Sequence, residues 1–380
     1  MALGKVFGNQ PRISLALVEH LGSASAVFEL SASARNDLLE HSGQFRGMLG
    51  DDLPDEAERD YNRLSGMGAT CLAYTEASYP TALRDCPDAP VCLYVRSATQ
   101  PDLLFAPERP VIAVVGTRDV SPYGMQQCGR LVRSLSAVEP SPVIVSGLAY
   151  GVDICAHRTA MECGLPTLAV MATGVDVVYP RQHRADAARM AGRPGCALLS
   201  DYPLGTAPVA LHFIRRNRII AALSRAVLLV ESKEKGGGLI TARQAFGYGK
   251  EVYAVPGRMD DVRSQGCNRL IAENVAEAVS SPEAWIASLG LNPSRPVARN
   301  PPNASSPASL SRIYEDRLRK EDVELAARML LCIQGECGID VRQLSERLQR
   351  PQVLLSSLLA LMEADGLIVM DLAGRCRINA

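Results

Sequence analysis

The segment that decides the fold is Val111–Gly124, VIAVVGTRDVSPYG. Its first five residues are apolar and mostly β-branched, which is typical of a strand that is buried on both faces. Gly116 ends this strand. Ser121 and Pro122 then predict the start of a helix, with the serine as its cap and the proline at the first helical position.

Thr117 and Arg118 follow directly after Gly116, at the carboxyl end of the predicted strand. In an open α/β sheet the loops at this end line the ligand crevice. The fixed, forked guanidinium of an arginine is suited to phosphate. Arg118 is therefore the first candidate for binding a phosphate group.

Strand and helix patterns alternate after this segment, which predicts right-handed crossovers and a doubly wound, mostly parallel sheet. The further strands are expected at Val143–Val145, Thr167–Ala172, Cys196–Leu199, Ala226–Val230 and Glu251–Val255. The helices are expected near Gln126–Ala137, Val152–Cys163, His183–Ala191, Arg215–Leu223 and Leu239–Tyr248.

Five of these strands are followed by a turn that contains glycine. Glycine lets backbone N–H groups approach an anion, and helix N-termini favour negative charge. Five such turns at one edge of one sheet predict a surface that handles phosphate. The turns are Gly116–Arg118, Ser146–Gly151, Thr173–Asp176, Gly236–Gly238 and Pro256–Arg258.

Composition narrows the class of protein. With 380 residues, 47% hydrophobic and 21% charged, two or three globular domains are expected. No apolar run approaches the roughly 18 residues of a membrane span, and no signal peptide is evident, so we expect a cytoplasmic protein without membrane contact. The eleven cysteines have no Cys-x-x-Cys spacing, which predicts reduced thiols and no metal site.

The net charge of −1 gives no global attraction to nucleic acid, but the arginines are concentrated. Residues 177–230 contain eight arginines and two aspartates, a local charge of +6. Within this region His212–Arg218, HFIRRNR, is predicted to begin a helix and to present arginines beside Phe213. That pattern fits a nucleic-acid backbone with a base stacked on the ring. The alternative, expected for one of these arginines, is that it neutralises Asp201.

The flanking segments have other patterns. Residues 1–60 have helical periodicity, and a break at Ser65–Gly68 leaves two interpretations, a small helical bundle or a helix-hairpin-helix that grips DNA. The proline-rich segment Asn292–Ser311 is a linker. Val323–Ala380 then has the spacing of a winged helix, with a hairpin that turns at Ala373 and Gly374. Its third helix, Gln352–Ala364, contains no lysine or arginine, which disfavours reading of duplex DNA.

Several chemistries are disfavoured by what the sequence lacks. There is no G-x-x-x-x-G-K-[ST], which argues against a P-loop NTPase, and G-T-R in place of G-x-G-x-x-G argues against a dinucleotide cofactor. Asp153 and His157 share one helix face and admit a general-base pair. The favoured interpretation is that Asp153 caps the glycine loop or orients a neighbour, and that His157 packs beneath it, because no nucleophile and no metal cluster accompany them.

These motifs together resemble the DprA/Smf family of DNA-processing proteins. The resemblance covers roughly Tyr79–Val279 and rests on ordered motifs: GTRDVSPYG, SGLAYGVDICAHRTA, TGVDVVYP, HFIRRNRIIAALS, GGGLITARQA and SQGCNRLI. It implies an extended Rossmann-like domain at 76–290, a helical SAM-like domain at 1–75, a linker at 291–312 and a winged helix at 313–380.

The family resemblance also implies a function. A DprA/Smf protein binds and protects single-stranded DNA, loads the RecA recombinase onto it during natural transformation, and forms homodimers through its Rossmann-like domain. No enzymatic activity and no cofactor are implied, and single-strand-binding protein is a further candidate partner. The residues expected to contact DNA are Gly116, Thr117, Arg118, Ser146, Gly147, Gly151, Gly174, Arg181, Phe213, Arg216, Asn217, Arg218, Gly237, Gly238 and Thr241.

Two departures from the family pattern and two rival functions stay open. His183 stands where the family usually has asparagine, and Gly236–Gly238 replaces S-G-S. One rival is a nucleotide-binding hydrolase of the phosphoribohydrolase-like group, but Ala242, Arg243 and Gln244 stand where that group has its catalytic glutamate. The other is a regulator that binds duplex DNA through the winged helix.

Overall fold

The structure is a computed structural model that describes residues 1–8, 10–293, 314, 318–335, 338–365, 367–371 and 374–378. The chain forms two compact units, residues 1–297 and residues 298–380. Most of the linker predicted at 291–312 lies outside the described residues. Ala373, one of the two residues of the predicted hairpin turn, also lies outside them.

In the part of the first unit that the structure describes, a nine-stranded sheet has the order β1-β2-β6-β5-β4-β3-β7-β8-β9. All neighbours from β6 to β9 are parallel, and β1 and β2 are added in antiparallel fashion. The strands are β1 Ala69–Ala73, β2 Cys92–Arg96, β3 Val111–Val115, β4 Val143–Ser146, β5 Thr167–Val170, β6 Ala197–Ser200, β7 Ala226–Leu229, β8 Glu251–Ala254 and β9 Glu277–Ala278. The predicted mostly parallel α/β sheet is confirmed.

Helices cover both faces of this sheet. The α-helices are α1 Ala2–Phe7, α2 Pro11–Leu21, α3 Ala26–Glu29, α4 Ala32–Leu38, α5 Leu53–Gly66, α6 Thr81–Arg84, α7 Pro101–Leu104, α8 Pro122–Ser134, α9 Val152–Glu162, α10 Arg184–Gly192, α11 Ala210–Leu223, α12 Gly237–Gly247, α13 Gln265–Ala272 and α14 Pro282–Ser288. Short 3-10 helices span Glu40–Phe45, Leu135–Ala137 and Arg181–His183.

The core has two layers because alternate side chains of each strand point to opposite faces of the sheet. On β3, Ala113 and Val115 pack with residues of α11, α12 and α13. Ile112 and Val114 pack on the other face, with residues of α8, α9 and α14. This arrangement places the carboxyl ends of β3 and β7, and the loops that follow them, next to the starts of α8 and α12.

The start of α8 is where the sequence predicted it, whereas the start of α11 differs from the prediction. Ser121 caps α8, and its Oγ accepts the Gly124 N–H at 3.0 Å, as predicted. Helix α11 begins at Ala210, five residues before the predicted start at Arg215. The HFIRRNR segment therefore lies within the helix, which puts its side chains on different faces at 100° intervals.

The helix-hairpin-helix interpretation of Ser65–Gly68 is wrong. Helix α5 ends at Gly66, and the chain enters β1 at Ala69, so this segment joins a helix to a strand. Among the N-terminal helices, α1 is joined to α5 by Lys5, which pairs with Glu56 at 3.0 Å and with Asp60 at 2.8 Å. The SAM-like class and the boundary at residue 75 stay predictions.

The described part of the second unit has three longer helices and a small sheet. The helices are α15 Lys320–Gly335, α16 Val341–Leu348 and α17 Gln352–Ala364, and the strands are β10 Ile339–Asp340, β11 Ile368–Met370 and β12 Arg375–Ile378, in the order β10-β12-β11. Asp340 and Gln343 form a capping box that starts α16. Assignment of this unit to the winged-helix class stays a prediction. Among the described helices, none combines the length and the apolar character that crossing a bilayer requires.

Candidate nucleic-acid interface

A groove of ≈ 690 Å³ lies at the carboxyl edge of the sheet, where β3 has β4 on one side and β7 on the other. This is the point at which a doubly wound sheet changes direction and where such folds bind ligands. The groove is lined by the loop after β3, one face of α11, and the loop that leads from β7 into α12. Nine of the predicted contact residues line it: Gly116, Thr117, Arg118, Phe213, Arg216, Asn217, Gly237, Gly238 and Thr241.

Arg118 and Phe213 form one exposed rim of the groove, on the side of β3. The Arg118 guanidinium carbon lies 4.8 Å from the centroid of the Phe213 ring, within cation–π distance. Tyr179 contacts this ring edge-on, with 5.6 Å between the centroids. In the described part of the chain no carboxylate forms an ion pair with Arg118, so its charge faces the groove uncompensated by a close partner.

The start of α12 forms the opposite rim, and its backbone is held in place by contacts to α11 and β3. The Gly237 carbonyl accepts hydrogen bonds from Asn217 Nδ2 at 3.4 Å and from Thr241 Oγ1 at 3.3 Å. A Cβ on Gly238 would lie 2.9 Å from the Gly116 Cα, so glycine at position 238 allows this close approach. No side chain caps this helix, which leaves its first amides at an exposed positive helix end.

Arg216 lies on the floor of the groove and is only 4% exposed. It donates to the Val170 carbonyl and, through Nε, to Asn217 Oδ1 at 3.2 Å. Burial lowers the pKa of Arg216, and the nearby Asp153 carboxylate partly offsets that effect. The floor thus contains a buried positive charge whose side chain is fixed by its neighbours.

Asp153 and His157 support the loop after β4, which confirms the favoured interpretation. Asp153 accepts the Ala149 N–H at 3.3 Å, and burial raises the pKa of its carboxyl while Arg216 opposes the rise. His157 Nε2 donates to the Gly147 carbonyl at 2.5 Å, and its Nδ1 lies 2.7 Å from Thr167 Oγ1. Burial lowers the pKa of His157 to about 4, so the ring is neutral at pH 7.

Three predicted contacts of the loop after β4 have structural roles and do not line the groove. Ser146 Oγ donates to the Val114 carbonyl at 2.5 Å and is fully buried. A Cβ on Gly147 would overlap Asp153 and lie within 2.8 Å of the Arg216 guanidinium, so the glycine admits both charged groups. Gly151 has φ +76° and packs against the backbone of the loop after β3. The assignment of the Ser146 side chain to phosphate is therefore corrected, and those of Gly147 and Gly151 stay predictions.

Gly174 and Arg181 also lie outside the groove. The Gly174 N–H donates to the Thr206 carbonyl at 3.2 Å. The amide that was expected to bind phosphate therefore already has a hydrogen-bond partner within the protein. Arg181 lines a separate pocket of ≈ 440 Å³ with Arg96 and Arg184. His183, one of the departures from the family pattern, is buried and donates to the Leu148 carbonyl at 2.9 Å.

Arg218 is the arginine that neutralises Asp201. Its Nη2 lies 2.5 Å from Asp201 Oδ2, and its Nη1 donates to the Asp88 carbonyl at 2.5 Å. Because α11 turns by 100° per residue, Arg218 points to a different face from Arg216. We therefore remove Arg218 from the contact set, and the expected structural role of one arginine is confirmed.

The sequence reasoning missed four residues at or beside the groove: Tyr179, Glu231, Lys233 and Lys235. Lys233 and Lys235 line the groove, and Lys233 pairs with Asp119 at 3.5 Å. Their position beside Gly236–Gly238, after a predicted strand, was a usable signal for phosphate binding. Glu231 is buried at the end of β7, and nothing in its local sequence indicates that its partner is Ser121.

A larger cavity of ≈ 1040 Å³ lies at the opposite edge of the sheet, beside the start of β3. Its charged lining is mixed, with four acids and three basic residues: Asp102, Glu108, Glu139, Glu251, Arg109, Arg225 and Lys250. A polyanion is not favoured there, because these charges compensate one another. Within the residues that the structure describes, no three His, Cys, Asp or Glu side chains are grouped as a metal ion requires.

Comparisons with known proteins show the family of this chain. Residues 70–290 match the family model described as DNA recombination-mediator protein A. The DNA processing protein DprA of Streptococcus pneumoniae is 40% identical over 205 residues, which are 53% of this chain and 68% of that protein. The DNA processing protein DprA of Bacillus subtilis is 35% identical over 238 residues, which are 61% of this chain and 77% of that protein.

Two solved structures are similar to this one. The X-ray structure of DNA processing protein A from Streptococcus pneumoniae has a TM-score of 0.60 and 32% identity, and the match covers 75% of this chain and 94% of that one. DNA processing protein A from Helicobacter pylori, whose structure was described for its single-stranded DNA binding mode, has a TM-score of 0.51 and 30% identity. That match covers 59% of this chain and 97% of the other.

Proposed function

The chain belongs to the DprA/Smf family of DNA-processing proteins, whose model is described as DNA recombination-mediator protein A, and we propose that it binds single-stranded DNA in the groove beside β3. The observation that carries the proposal is the pair formed by Arg118 and Phe213. Their contact puts the Arg118 guanidinium over the Phe213 ring at the exposed rim of the groove. A strand supplies the matching groups, since each nucleotide has a phosphate and a base with a π-face.

The rims of the groove support the same ligand. Lys235 and the first amides of α12 offer positive charge and N–H donors to a backbone phosphate. Gly237 has no atom within 4 Å of the place where a Cβ would stand, so a phosphate can approach its backbone closely. These contacts involve phosphate and stacking only, which supports binding without a strong dependence on sequence.

A single strand is favoured over a duplex by the second unit as well. Helix α17 of that unit has no lysine or arginine, and Glu363 near its end accepts the Met370 N–H at 2.9 Å. Phosphate contacts and guanine contacts in a major groove are made mainly by arginine and lysine. We infer that this helix contacts protein or only packs within its own unit, and that it does not read a duplex.

From family membership we further infer the role of the bound strand. The protein protects the strand and loads the RecA recombinase onto it during natural transformation, in the cytoplasm, with single-strand-binding protein as a candidate partner. We also propose that it acts without catalysis, as a homodimer joined through the Rossmann-like domain. The contact residues proposed here for DNA are Gly116, Thr117, Arg118, Phe213, Arg216, Asn217, Gly237, Gly238 and Thr241.

The strand preference is tested by fluorescence anisotropy with a labelled 20-nucleotide oligo-dT, with a duplex of the same length, and with ADP as competitor. We expect the oligo-dT to bind several-fold more tightly than the duplex at about 150 mM salt, and ADP to compete poorly. Equal or tighter duplex binding, or competition by ADP at micromolar concentration, would contradict the proposal and favour one of the two rivals.

RecA loading is tested separately, on a strand already covered by single-strand-binding protein. We expect the protein to accelerate RecA filament formation on this strand, and Arg118→Ala to lose the acceleration because it binds the strand more weakly. If wild-type protein binds oligo-dT but leaves RecA assembly unchanged, the loading role fails while strand binding stands. Sedimentation equilibrium of the full chain tests the homodimer.

A further inference from the structure

Two helices begin beside β3 at the carboxyl edge of the sheet, and they differ in what stands at their N-termini. Helix α12 starts with uncapped glycines at the groove. The start of α8 is covered by Glu231, which follows β7 and is 1% exposed. Glu231 Oε2 accepts the Ser121 N–H at 2.9 Å, and Oε1 accepts the Ser121 Oγ–H at 2.5 Å.

The Glu231 carboxylate fills its position closely. An added methyl group on Gly124, in the first turn of α8, would overlap the carboxylate. The Glu231 carbonyl also accepts the Thr117 N–H at 2.8 Å. The backbone and side chain of one residue thus join the end of β7 to the loop after β3, which carries Arg118.

A negative group at a helix N-terminus is favourable because the helix dipole and the free N–H groups both attract it. In doubly wound folds this position, at the first strand of the crevice, is the one where the phosphates of small nucleotides bind. Here a carboxylate of the protein stands in that position. A second anion would meet a buried like charge and no free space.

We propose that Glu231 is a specificity-determining residue, which occupies the N-terminus of α8 in place of an external phosphate and leaves anions only the α12 side of the groove. The inference rests on the proposed binding of a strand in this groove. It explains how a fold suited to nucleotides excludes small phosphorylated ligands while the exposed rim stays open to a polymer. Glu231 also acts as a positioning residue for the loop that holds Arg118.

The test compares Glu231→Ala and Glu231→Gln with the wild-type protein, using inorganic pyrophosphate without divalent metal as the probe. We expect Glu231→Ala to bind pyrophosphate at least about tenfold more tightly than wild type by calorimetry, because the position becomes vacant and loses its charge. Glu231→Gln removes the charge but keeps the side-chain volume, so we expect a smaller gain from it. Glu234→Ala is the matched control, since Glu234 is an exposed acid of the same loop, paired with Arg269 at 2.9 Å.

A gain in Glu231→Ala that is absent from Glu234→Ala supports the proposal, and an equal gain in Glu234→Ala overturns it by showing a general charge effect. A folded Glu231→Ala protein without any gain overturns it as well. Variants that are unfolded in Tris but folded in about 100 mM phosphate support it, since an external anion then replaces the carboxylate, whereas variants unfolded in both buffers contradict it. Oligo-dT binding by wild type is measured in parallel, and its absence would refute the proposed function without deciding the role of Glu231.

Discussion

The open rim of the groove and the buried layer beneath it contain the same types of charged residue, but these residues have different partners. On the rim, Arg118 lies over the Phe213 ring and has no carboxylate partner in the described part of the chain. In the buried layer, Arg218 is held by Asp201 and by the Asp88 carbonyl. Both arginines belong to motifs that predicted phosphate binding.

The difference teaches that the availability of a group, and not its type, decides whether it can bind a ligand. The buried Arg218 needs a partner within the protein to offset its desolvation, and its ion pair with Asp201 makes it unavailable. An exposed charge needs none and remains free for phosphate. The comparison predicts that substitutions in the buried layer change stability, whereas substitutions on the rim change binding.

The largest expected effect is that of Arg218→Ala. The substitution leaves the Asp201 carboxylate buried without its ion-pair partner, which costs about 3–5 kcal/mol of folding free energy. Urea unfolding measures this loss, and Arg118→Ala is the matched control, expected to change the free energy of unfolding by less than about 0.5 kcal/mol. Similar losses in both variants would break the distinction between rim and buried layer.

His157 gives the buried layer a pH dependence. Its pKa is about 4 in the folded protein, against an ordinary value near 6.5, because burial disfavours the charged ring. The unfolded chain therefore binds the proton more tightly than the folded protein does. The folding stability that depends on a neutral His157 is fully present above about pH 6.5 and is lost as the pH falls toward 4. The loss amounts to roughly 3 kcal/mol over that window.

Urea midpoints of wild type and His157→Gln, measured between pH 7 and pH 4.5, isolate this contribution. We expect wild type to lose more stability than the variant over this interval, since the glutamine keeps a donor for the Gly147 carbonyl and does not titrate. Parallel pH profiles for the two proteins would show that His157 is not the responsible group.

Gly237 and Gly238, at the start of α12, allow the same comparison between an exposed and a buried position at neighbouring residues. Gly238→Ala places a Cβ 2.9 Å from the Gly116 Cα and the Leu229 Cδ1, and we expect it to cost about 1–3 kcal/mol of stability. Gly237→Ala meets open space and should leave the protein at least as stable, but its methyl group hinders a phosphate at the backbone. Thermal unfolding together with oligo-dT titration separates these effects, and unchanged binding by Gly237→Ala would count against that amide as a contact.

Phe213 tests the stacking function of the rim. Phe213→Leu removes the aromatic face and should weaken oligo-dT binding by about 1–2 kcal/mol, whereas Phe213→Tyr keeps the face and should bind almost normally. Both variants should unfold at nearly the wild-type urea concentration because the ring is partly exposed. Equal affinity of the leucine and tyrosine variants would contradict base stacking on this ring.

The sequence predicted the sheet well because buried strands have a local signal. The apolar runs at β3 and β7 and the glycine turns after them are visible in short windows, and the order of the motifs predicted the crevice. Helix α11 was placed five residues late because its first turn, Ala210–Ile214, lies before the arginine-rich pattern that marked it.

The sequence could not show which of the glycine turns and arginines are free, because their partners are remote. Ser121 is 110 positions from Glu231, and the carbonyl that engages the Gly174 amide belongs to Thr206, in a loop beyond the next strand. Both Arg216 and Arg218 are buried on α11, yet only one of them lines the groove, which depends on the rotation of the helix against the sheet. Such pairings are set by packing and leave no local pattern.

The central claim, that the groove contacts the phosphates of a strand through Arg118, is tested most directly by salt dependence. Oligo-dT affinity is measured from about 50 to 300 mM salt for wild type, Arg118→Ala and Arg59→Ala, the last being an exposed arginine of α5 outside the groove. Each phosphate contact contributes a slope of about −0.7 to the plot of log affinity against log salt. We predict that Arg118→Ala is weaker and flatter by about one contact while Arg59→Ala matches wild type; identical slopes for all three proteins would contradict the claim.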